Sequence, residues 1–412
     1  MPVEHLDLKA YIRPKDSFLK VEGTFDVSEV NDSLEILLNP CLELMTIEIR
    51  SEDGWAGAEF TEERPPKDIF MPVASYRVTI PESHNEGDEI TFRTEYRGRL
   101  YRYFFNTTRI REDFVELAIY APWYPMTSFS DRPSYHLELD GPDDWTWIAN
   151  ASLVSEKPLI WSAETPRTDI TLHGRPSENS ISAEDSELFW GESRYLEPLL
   201  PLEDEFKPFM KLIKEWLGPT DNDKLKIVLV PRDFGGGYSR SGMVVLQDDI
   251  AVDMTGSKKK AILKYWAHEY AHFWWKKTTV DEYHNWIDEA LAEYTARLAC
   301  EDVIGEAYFE ELIENLRKAI RNEDDLPPIK EIKRQHPKAQ TVFYVYGSLI
   351  FHEIRQEIGK EKFIDFLHAF AQKEVNSKII TTNDLIDTLD ETTDRDWKDY
   401  IEDRIMMQPA PI

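Results

Sequence analysis

Hydrophobic and polar residues alternate along the first part of the chain and recur every three to four residues along the second part. Alternation is typical of β-strands with one buried face. It predicts strands at 19–27, 33–38, 76–80, 89–96, 134–139 and 168–172. A short apolar run predicts a further strand at 226–230, and the longer period predicts helices at 203–217, 258–277 and 286–303, with mainly helix from there to Ile405.

This change of pattern near residue 188 indicates two domains. We expect a β-rich domain at 1–188 and a mainly helical domain at 189–412, which makes the fold class α+β. A chain of 412 residues is too long for one ordinary hydrophobic core, and this favours the same division.

Charge and cysteine content exclude several classes of protein. The chain has 48 basic and 78 acidic residues, a formal net charge of −30, which argues against binding to nucleic acid or to anionic membranes. Its two cysteines, Cys41 and Cys300, are too few for a disulfide framework. The amino terminus lacks the basic start and apolar core of a signal peptide, and no apolar run approaches the length of a membrane span. We therefore expect a cytoplasmic protein.

The most specific chemical signal is the segment His268-Glu269-Tyr-Ala-His272 within the predicted helix 258–277. Residues four apart on a helix lie on one face, so both imidazoles can bind one metal ion while Glu269 lies beside it. In zinc proteases two such histidines hold the ion and the glutamate acts on its bound water. The alternative is a buried helix with two core histidines, but the intervening glutamate and the acidic helix downstream favour the metal site.

A zinc protease of this kind needs a third protein ligand, usually a glutamate on a second helix, and leaves the fourth position open for water. In the predicted helix 286–303, Glu289 and Glu293 are four residues apart and share a face. We prefer Glu289, because it lies in the first turn after the loop and can reach back toward the first helix. The spacing alone also permits Glu293.

These residues resemble the aminopeptidase N-type gluzincins, a family of zinc metallopeptidases that includes the leukotriene-hydrolase branch. Family members follow the histidine–glutamate helix with an aromatic pair, then a tryptophan and an Asn-Glu-Gly-Phe-Ala-like segment. The corresponding parts here are Trp274-Trp275 and Trp286-Ile-Asp-Glu-Ala-Leu-Ala292. The resemblance assigns the third ligand to Glu289 and implies one Zn²⁺ per chain, with Glu293 or Asp288 orienting the histidines. Asp288 replaces the customary Asn, and the connecting loop is slightly shorter than usual.

Another family feature is a tyrosine in a Tyr-x-Lys-Gly segment, whose hydroxyl donates to the developing oxyanion. The segment Phe343-Tyr-Val-Tyr-Gly-Ser-Leu-Ile350 is similar, so the resemblance gives that role to Tyr344, with Tyr346 at the Lys position. A positioned donor of this kind is worth roughly 2.7–4 kcal/mol. From the residues alone, the favoured explanation of both tyrosines is that they are packing aromatics at the start of a helix.

This sequence departs from the family in the segment that binds the substrate's free amine. Members carry Gly-x-Met-Glu-Asn there, and its glutamate binds the amine. When Gly236-Gly237-Tyr-Ser239-Arg240 is laid on that motif, Ser239 replaces the glutamate and Arg240 replaces the asparagine. We expect the arginine to repel a cationic N-terminus. Glu116 resembles the acidic or amide residue that the first domain of family members contributes to the same pocket.

The resemblance implies an N-terminal antiparallel β-sheet saddle followed by a thermolysin-like catalytic domain. We expect a zinc-dependent peptidase that acts on peptides, most simply an aminopeptidase with weakened selection of the N-terminal amine. A zinc endopeptidase or oligopeptidase with the same residues is one alternative. A non-catalytic binding protein with a structural zinc is another, but structural zinc usually has four protein ligands, often Cys, and gives Glu269 no role. Because the sequence ends at Ile412, we also expect a two-domain form without the family's helical C-terminal domain.

Overall fold

The computed structural model describes residues 1–65, 72–81, 87, 89–100, 109–120, 122–182, 186–220, 225–232, 237–248, 257–279 and 282–409. The chain divides into two compact units. The first consists of Met1–Leu196 and Lys226–Ile250, and the second consists of Glu197–Leu225 and Ala251–Ile412. The predicted domain boundary at residue 188 was drawn from pattern rather than from contacts, and it stays a prediction.

The first unit consists mainly of strands. In chain order they are β1 Val3–Arg13, β2 Phe18–Val27, β3 Ser33–Leu38, β4 Leu42–Ser51, β5 Gly54–Gly57, β6 Phe60–Glu63, β7 Ala74–Thr79, β8 Ile90–Arg99, β9 Arg109–Ile110, β10 Val115–Leu117, β11 Ser134–Asp140, β12 Trp145–Ala149, β13 Ser152–Glu156, β14 Leu159–Ala163, β15 Leu172–Pro176, β16 Ser180–Ile181, β17 Phe189–Glu192, β18 Lys226–Val230, β19 Gly237–Arg240 and β20 Met243–Gln247. A short helix, α1 Ser193–Leu196, follows β17.

Most of these strands pair antiparallel. The largest sheet has the order β13-β14-β11-β1-β2-β8-β4-β5, and within it only β1 and β11 run parallel among the described strands. Smaller antiparallel sheets have the orders β12-β15-β10-β9 and β3-β7-β6. Buried and exposed residues alternate along β1 and β11, as the sequence pattern predicted for strands with one buried face.

A fourth sheet has strands of mixed directions. Its order is β16-β17-β18-β20-β19, with β17, β18 and β20 parallel and β19 antiparallel to β20. The predicted strand at 226–230 is present as β18, and its contacts group it with the first unit.

The strand predicted at 168–172 is misplaced, because β15 begins only at Leu172. Ahead of it, Asp169 and Ile170 lie outside any strand and are held by side chains. The indole N–H of Trp123 donates to the carbonyl of Ile170 at 2.8 Å, and the amide of Asn150 donates to the carbonyl of Asp169 at 2.8 Å. These tertiary contacts replace the sheet hydrogen bonds that the local pattern led us to expect.

The second unit is helical. Its helices are α2 Leu202–Leu217, α3 Ser257–Ala271, α4 Trp286–Val303, α5 Glu306–Arg321, α6 Gly347–Ile358, α7 Lys360–Asn376, α8 Thr382–Thr393 and α9 Lys398–Met406. A π-helix spans Gln340–Tyr346 and runs into α6. Strand-rich and helix-rich parts follow one another along the chain, so the predicted α+β class is confirmed.

Helix α4 is the centre of this unit. Every residue from Trp286 to Cys300 is buried, which is typical of a helix surrounded by other elements. Four of these buried residues are charged: Asp288, Glu289, Glu293 and Arg297. Buried charges are rarely tolerated without partners, so α4 must carry a polar site. Among the helices that the structure describes, none combines the length and the apolar character that crossing a membrane requires.

Helix α3 ends earlier than the sequence predicted. The pattern favoured helix through residue 277, but α3 ends at Ala271 and the chain continues in tightened turns. The N–H of Phe273 donates to Tyr270 and that of Trp274 to Ala271, both at 3.0 Å. These three-residue steps are typical of a closing helix end. The indole of Trp274 donates to the carbonyl of Gly218 at 3.2 Å, and this packing stops the helix without glycine or proline.

Candidate metal centre

Three potential ligand atoms converge at the facing ends of α3 and α4. Nε2 of His272 lies 3.2 Å from Nε2 of His268 and 3.4 Å from Oε2 of Glu289. Nε2 of His268 lies 3.8 Å from the same oxygen. His272 follows the last residue of α3, but its N–H still donates to the carbonyl of His268 at 3.3 Å. This extra turn keeps the two imidazoles on one side of the helix.

The remaining ring nitrogens of both histidines have oxygen partners. Nδ1 of His272 lies 2.8 Å from the carbonyl oxygen of Trp275, and Nδ1 of His268 lies 2.9 Å from Oε2 of Glu293. A neutral ring that carries its proton on the Nδ1 facing such an oxygen presents the lone pair of Nε2. Burial lowers the pKa of His268 below its ordinary value, against the opposing effect of Glu293. The His268 ring can therefore act as a neutral nitrogen ligand, and His272 turns its Nε2 toward the same point.

The two candidate glutamates of α4 occupy different surroundings. Glu289 faces the Nε2 atoms, whereas Glu293 contacts the opposite edge of the His268 ring. Glu293 also accepts from Nζ of Lys264 at 2.6 Å and contacts Arg297. Burial alone would raise the pKa of the Glu293 carboxyl, but Arg297, Lys264 and His268 hold that pKa well below its ordinary value. Glu293 is thus a buried carboxylate with its own cations.

The two oxygens of the Glu289 carboxylate have different surroundings. Its Oε1 accepts from Nη1 of Arg334, which also donates to Oδ1 of Asn285 at 3.2 Å. Its Oε2 is buried and has no hydrogen-bond donor among the residues that the structure describes. Arg334 was not found by sequence reasoning, because it lies 45 positions after Glu289 and belongs to no motif.

This donor set fits zinc. Two imidazole nitrogens and one carboxylate oxygen are typical zinc ligands, and ligand bonds of 2.0–2.2 Å in a tetrahedron place ligand atoms roughly 3.3–3.6 Å apart. The three atoms here lie 3.2–3.8 Å apart. The unsatisfied Oε2 of Glu289 supports the same conclusion, since a buried carboxylate oxygen without a donor is costly unless a cation faces it.

Two residues with expected catalytic roles lie beside this cluster. Glu269 follows His268 in α3 and is buried. The ring of Tyr344 stacks on the ring of His268, with centroids 5.6 Å apart and planes 17° apart. Burial raises the pKa of the Tyr344 hydroxyl to about 12, so this group stays protonated at neutral pH and can donate a hydrogen bond.

The π-helix separates the surroundings of the two tyrosines. Tyr344 contacts His268, whereas the hydroxyl of Tyr346 donates to the backbone carbonyl of Arg404 at 3.4 Å. The hydroxyl of Ser348 donates to the carbonyl of Tyr344 at 2.5 Å, satisfying a backbone group in the wide turn. Wide turns of this kind are frequent at functional sites, and no simple periodicity in the sequence predicts one.

Asp288 supports the loop before α4. Its Oδ2 accepts from the hydroxyl of Thr278 at 2.6 Å and from the N–H of Thr278 at 3.2 Å. Burial raises the pKa of the Asp288 carboxyl to about 6. Of the two residues expected to orient the histidines, Glu293 therefore contacts a histidine ring directly, and Asp288 holds the returning chain.

The residues expected to bind the substrate amine lie in the first unit. Gly237, Ser239 and Arg240 belong to β19, while Gly236 lies outside the described residues. Nε of Arg240 donates to Oδ2 of Asp169 at 2.7 Å. A fully buried carboxylate therefore compensates the charge of Arg240, and the expected repulsion of a cationic amine by Arg240 stays a prediction.

Glu116 is also in an ion pair. Its Oε1 accepts from Nη2 of Arg232 at 2.8 Å and from the hydroxyl of Tyr238 at 3.0 Å. Its Oε2 is buried and has no hydrogen-bond donor within the described part of the chain. One carboxylate oxygen of Glu116 is thus committed to the protein, and the other keeps its capacity to accept a hydrogen bond.

Comparisons with known proteins found one matching family model and several similar structures. Residues 204–404 match the peptidase family M1 domain. The chain is similar to the structure of an M1 zinc metallopeptidase from Deinococcus radiodurans, with a TM-score of 0.74 and 15% identity over 100% of this chain and 96% of that chain. At such identities the likeness concerns the fold. No curated protein matches the chain in sequence.

Two further structures are similar. A mutant of a two-domain M1 zinc metallopeptidase bound to L-tryptophan gives a TM-score of 0.78 at 15% identity, covering 100% of this chain and 95% of that chain. The structure of yeast LTA4 hydrolase in complex with bestatin gives a TM-score of 0.73 at 16% identity, covering 99% of this chain and 68% of that chain.

Proposed function

Since this chain is a zinc metallopeptidase that carries the peptidase family M1 domain at residues 204–404, we propose that it is an aminopeptidase acting on short peptides, with weak selection of the N-terminal amine. The observation that carries the proposal is the convergence of His268, His272 and Glu289, with the buried Oε2 of Glu289 facing both Nε2 atoms. These three residues would hold one zinc ion.

The catalytic roles follow from the chemistry of peptide hydrolysis. A bound zinc ion supplies a Lewis acid that polarises the scissile carbonyl and lowers the pKa of water to about 7. Glu269 accepts a proton from the attacking water and later delivers it to the leaving amine. The Tyr344 hydroxyl, protonated because burial raises its pKa to about 12, donates to the oxygen on which negative charge develops.

Weak amine selection is supported by the side chains that replace the usual amine site. Ser239 offers a hydroxyl where a carboxylate is customary, and its Oγ has no hydrogen-bond partner among the described residues. Glu116 keeps one acceptor oxygen, which could form a charge-assisted hydrogen bond of roughly 1.5–3 kcal/mol. Because Arg232 already compensates the charge of Glu116, we expect the energy of this hydrogen bond to lie at the lower end of that range.

A matched pair of peptides tests the proposal. The zinc-loaded protein is given Leu-Ala-Ala and its N-acetyl derivative, and kcat/KM is measured for each, with product analysis to identify the bond that is cut. We expect both to be hydrolysed, with a ratio below about tenfold, because tenfold corresponds to about 1.4 kcal/mol of transition-state binding. A ratio above about a thousandfold would contradict weak selection. No hydrolysis of any peptide would refute the peptidase itself.

Longer N-blocked peptides separate the aminopeptidase from an endopeptidase. The endopeptidase is the second candidate function. It is favoured by Ser239, which has no carboxylate, and by Glu116, whose charge is compensated by Arg232. An endopeptidase cuts such peptides at internal bonds and faster than it cuts Leu-Ala-Ala. The proposed aminopeptidase releases the first residue of free peptides, and its rate falls as blocked peptides become longer.

A further inference from the structure

A surface depression lies beside Tyr344 in the helical unit. Its volume is about 250 Å³, and it is lined by Arg334, His336, Pro337, Ala339, Gln340 and Tyr344. Pockets for drug-sized ligands measure roughly 300–1,000 Å³. The depression is therefore large enough for about one or two amino-acid residues, and too small for a long peptide.

The charge of the depression differs from that of the whole chain. The chain has a formal net charge of −30, but among the described residues that line the depression none is acidic, and Arg334 alone has a permanent charge. Arg334 is paired with Glu289 through Nη1, so an anionic ligand would bind to the remaining N–H groups of its guanidinium.

The guanidinium of Arg334 has donors to spare. It carries five N–H groups, and its hydrogen bonds within the described part of the chain, to Glu289 and Asn285, use only Nη1. Its side chain is 38% exposed, so solvent reaches it. A guanidinium can bind a second carboxylate through its other nitrogens, and such bidentate pairs are among the stronger hydrogen-bonded contacts in proteins.

His336 supplies a second donor to the depression. Its Nδ1 accepts a hydrogen bond from the N–H of Lys338 at 3.1 Å. The proton of the neutral ring is therefore on Nε2, which can only donate. A carboxylate, with two acceptor oxygens, can accept from both a guanidinium and such a ring.

The depression adjoins the residues expected to act on the scissile bond. Arg334 contacts Glu289 directly, and its guanidinium carbon lies 5.4 Å from the centroid of the Tyr344 ring. One residue of an extended peptide spans about 3.3–3.6 Å. A substrate whose carbonyl accepts from Tyr344 can therefore reach Arg334 with a group one or two residues away along the peptide.

We propose that Arg334 binds the C-terminal carboxylate of dipeptide and tripeptide substrates in this depression. The inference rests on the proposed function, because it takes the Tyr344 hydroxyl as the donor to the scissile carbonyl. It names the substrate class: peptides that end with a free carboxylate one or two residues after the cleaved bond.

Binding measured without turnover tests the inference. Zinc-loaded Glu269→Gln protein is titrated calorimetrically with Leu-Ala-Ala and with its C-terminal amide. A charge-assisted hydrogen bond of about 1.5–3 kcal/mol corresponds to a change in Kd of roughly 10- to 150-fold. The Kd of the acid should therefore be lower than that of the amide by such a factor. Adding Arg334→Gln should remove this preference, and Arg334→Lys should restore part of it.

A control variant and a measurement of zinc affinity show whether Arg334 binds the substrate carboxylate or only positions Glu289. Arg321, which forms an exposed ion pair with Glu314, is the matched control, and Arg321→Gln should leave the acid-over-amide ratio unchanged. The zinc affinity of each variant is measured by competition with a chelator. If Arg334→Gln weakens binding of acid and amide equally, or lowers only the zinc affinity, Arg334 acts through Glu289 and the inference is wrong.

The binding experiment and the peptide assay can fail separately. If the active chain hydrolyses no peptide but the acid-over-amide ratio is large and depends on Arg334, the proposed function fails and the carboxylate site stands. If peptides are hydrolysed but the ratio is close to one, the carboxylate site fails and the proposed function stands.

Discussion

Nδ1 of His268 lies 2.9 Å from Oε2 of Glu293. Its other ring nitrogen faces a different glutamate, since Nε2 of His268 lies 3.8 Å from Oε2 of Glu289. One histidine therefore separates the roles of two acidic residues that stand four positions apart on α4. The contact with Glu293 fixes the proton on Nδ1 and leaves the lone pair of Nε2 available to a metal ion.

This contact predicts that Glu293 controls zinc affinity without being a ligand. Glu293→Gln should weaken zinc binding by about 10- to 100-fold, the usual effect of removing a group that orients a metal ligand. Chelator competition at fixed pH measures the change. The matched control is Glu301→Gln in the same helix, because Glu301 pairs with Arg355 and Lys360 instead. Equal effects of both variants would show a general loss of helix stability.

The metal ligands and the general base can be distinguished by comparing metal content with activity. His272→Ala should lose both zinc and hydrolysis, because it removes one of three protein ligands. Glu269→Gln should keep stoichiometric zinc and lose nearly all hydrolysis, because an amide cannot accept the proton of water. Elemental analysis and a peptide assay on each variant provide the check. Stoichiometric zinc in His272→Ala would argue decisively against the site.

The two tyrosines of the π-helix provide a matched pair. Tyr344→Phe should lower kcat by on the order of 100-fold or more with little change in KM, because its hydroxyl is proposed to act mainly in the transition state. Tyr346→Phe removes only a hydroxyl that donates to the carbonyl of Arg404, so its turnover should stay near that of the parent. If Tyr346→Phe lost turnover and Tyr344→Phe did not, Tyr346 would be the donor to the oxyanion.

The buried ion pair of Glu116 predicts a large effect on stability. Glu116→Ala leaves the guanidinium of Arg232 in the protein interior without its carboxylate, and breaking a buried pair in this way costs about 3–5 kcal/mol. Denaturant unfolding measures the loss. Glu63→Ala in the same unit breaks the exposed pair with Arg77 and should change stability little, since solvent screens such pairs. A small effect of Glu116→Ala would mean that Arg232 finds another partner.

The approach of α4 to the start of α6 predicts that Gly347 cannot be enlarged. A Cβ atom at Gly347 would lie 2.6 Å from Cβ of Ala290, which is far inside contact distance. Gly347→Ala should therefore lower the free energy of unfolding by about 1–3 kcal/mol through overpacking, more than alanine gains in a helix. Gly57→Ala, where no atom lies within 4 Å, is the control and should not destabilise. A neutral Gly347→Ala would show that α6 can move away from Ala290.

Some features of this protein could be predicted from local sequence. The four-residue spacing of His268 and His272 brings their rings together, because a helical turn fixes which residues share a face. Periodicity also gave the bounds of α4, Trp286–Val303, without error. Its place in the first turn favoured Glu289, and the family resemblance supplied Tyr344; their neighbours in the structure are the rings of His272 and His268. Their catalytic and metal-binding roles stay predictions.

The partners of these residues depended on the tertiary structure. Glu289 and Arg334 are 45 positions apart, and Glu116 and Arg232 are 116 positions apart. Such pairs leave no period in the sequence, because they depend on which elements pack together. The early end of α3 has the same origin, since the indole of Trp274 bonds to Gly218 rather than to a neighbour in the chain. Sequence thus determined which residues share a helix face, and packing decided which charges meet there and which are compensated.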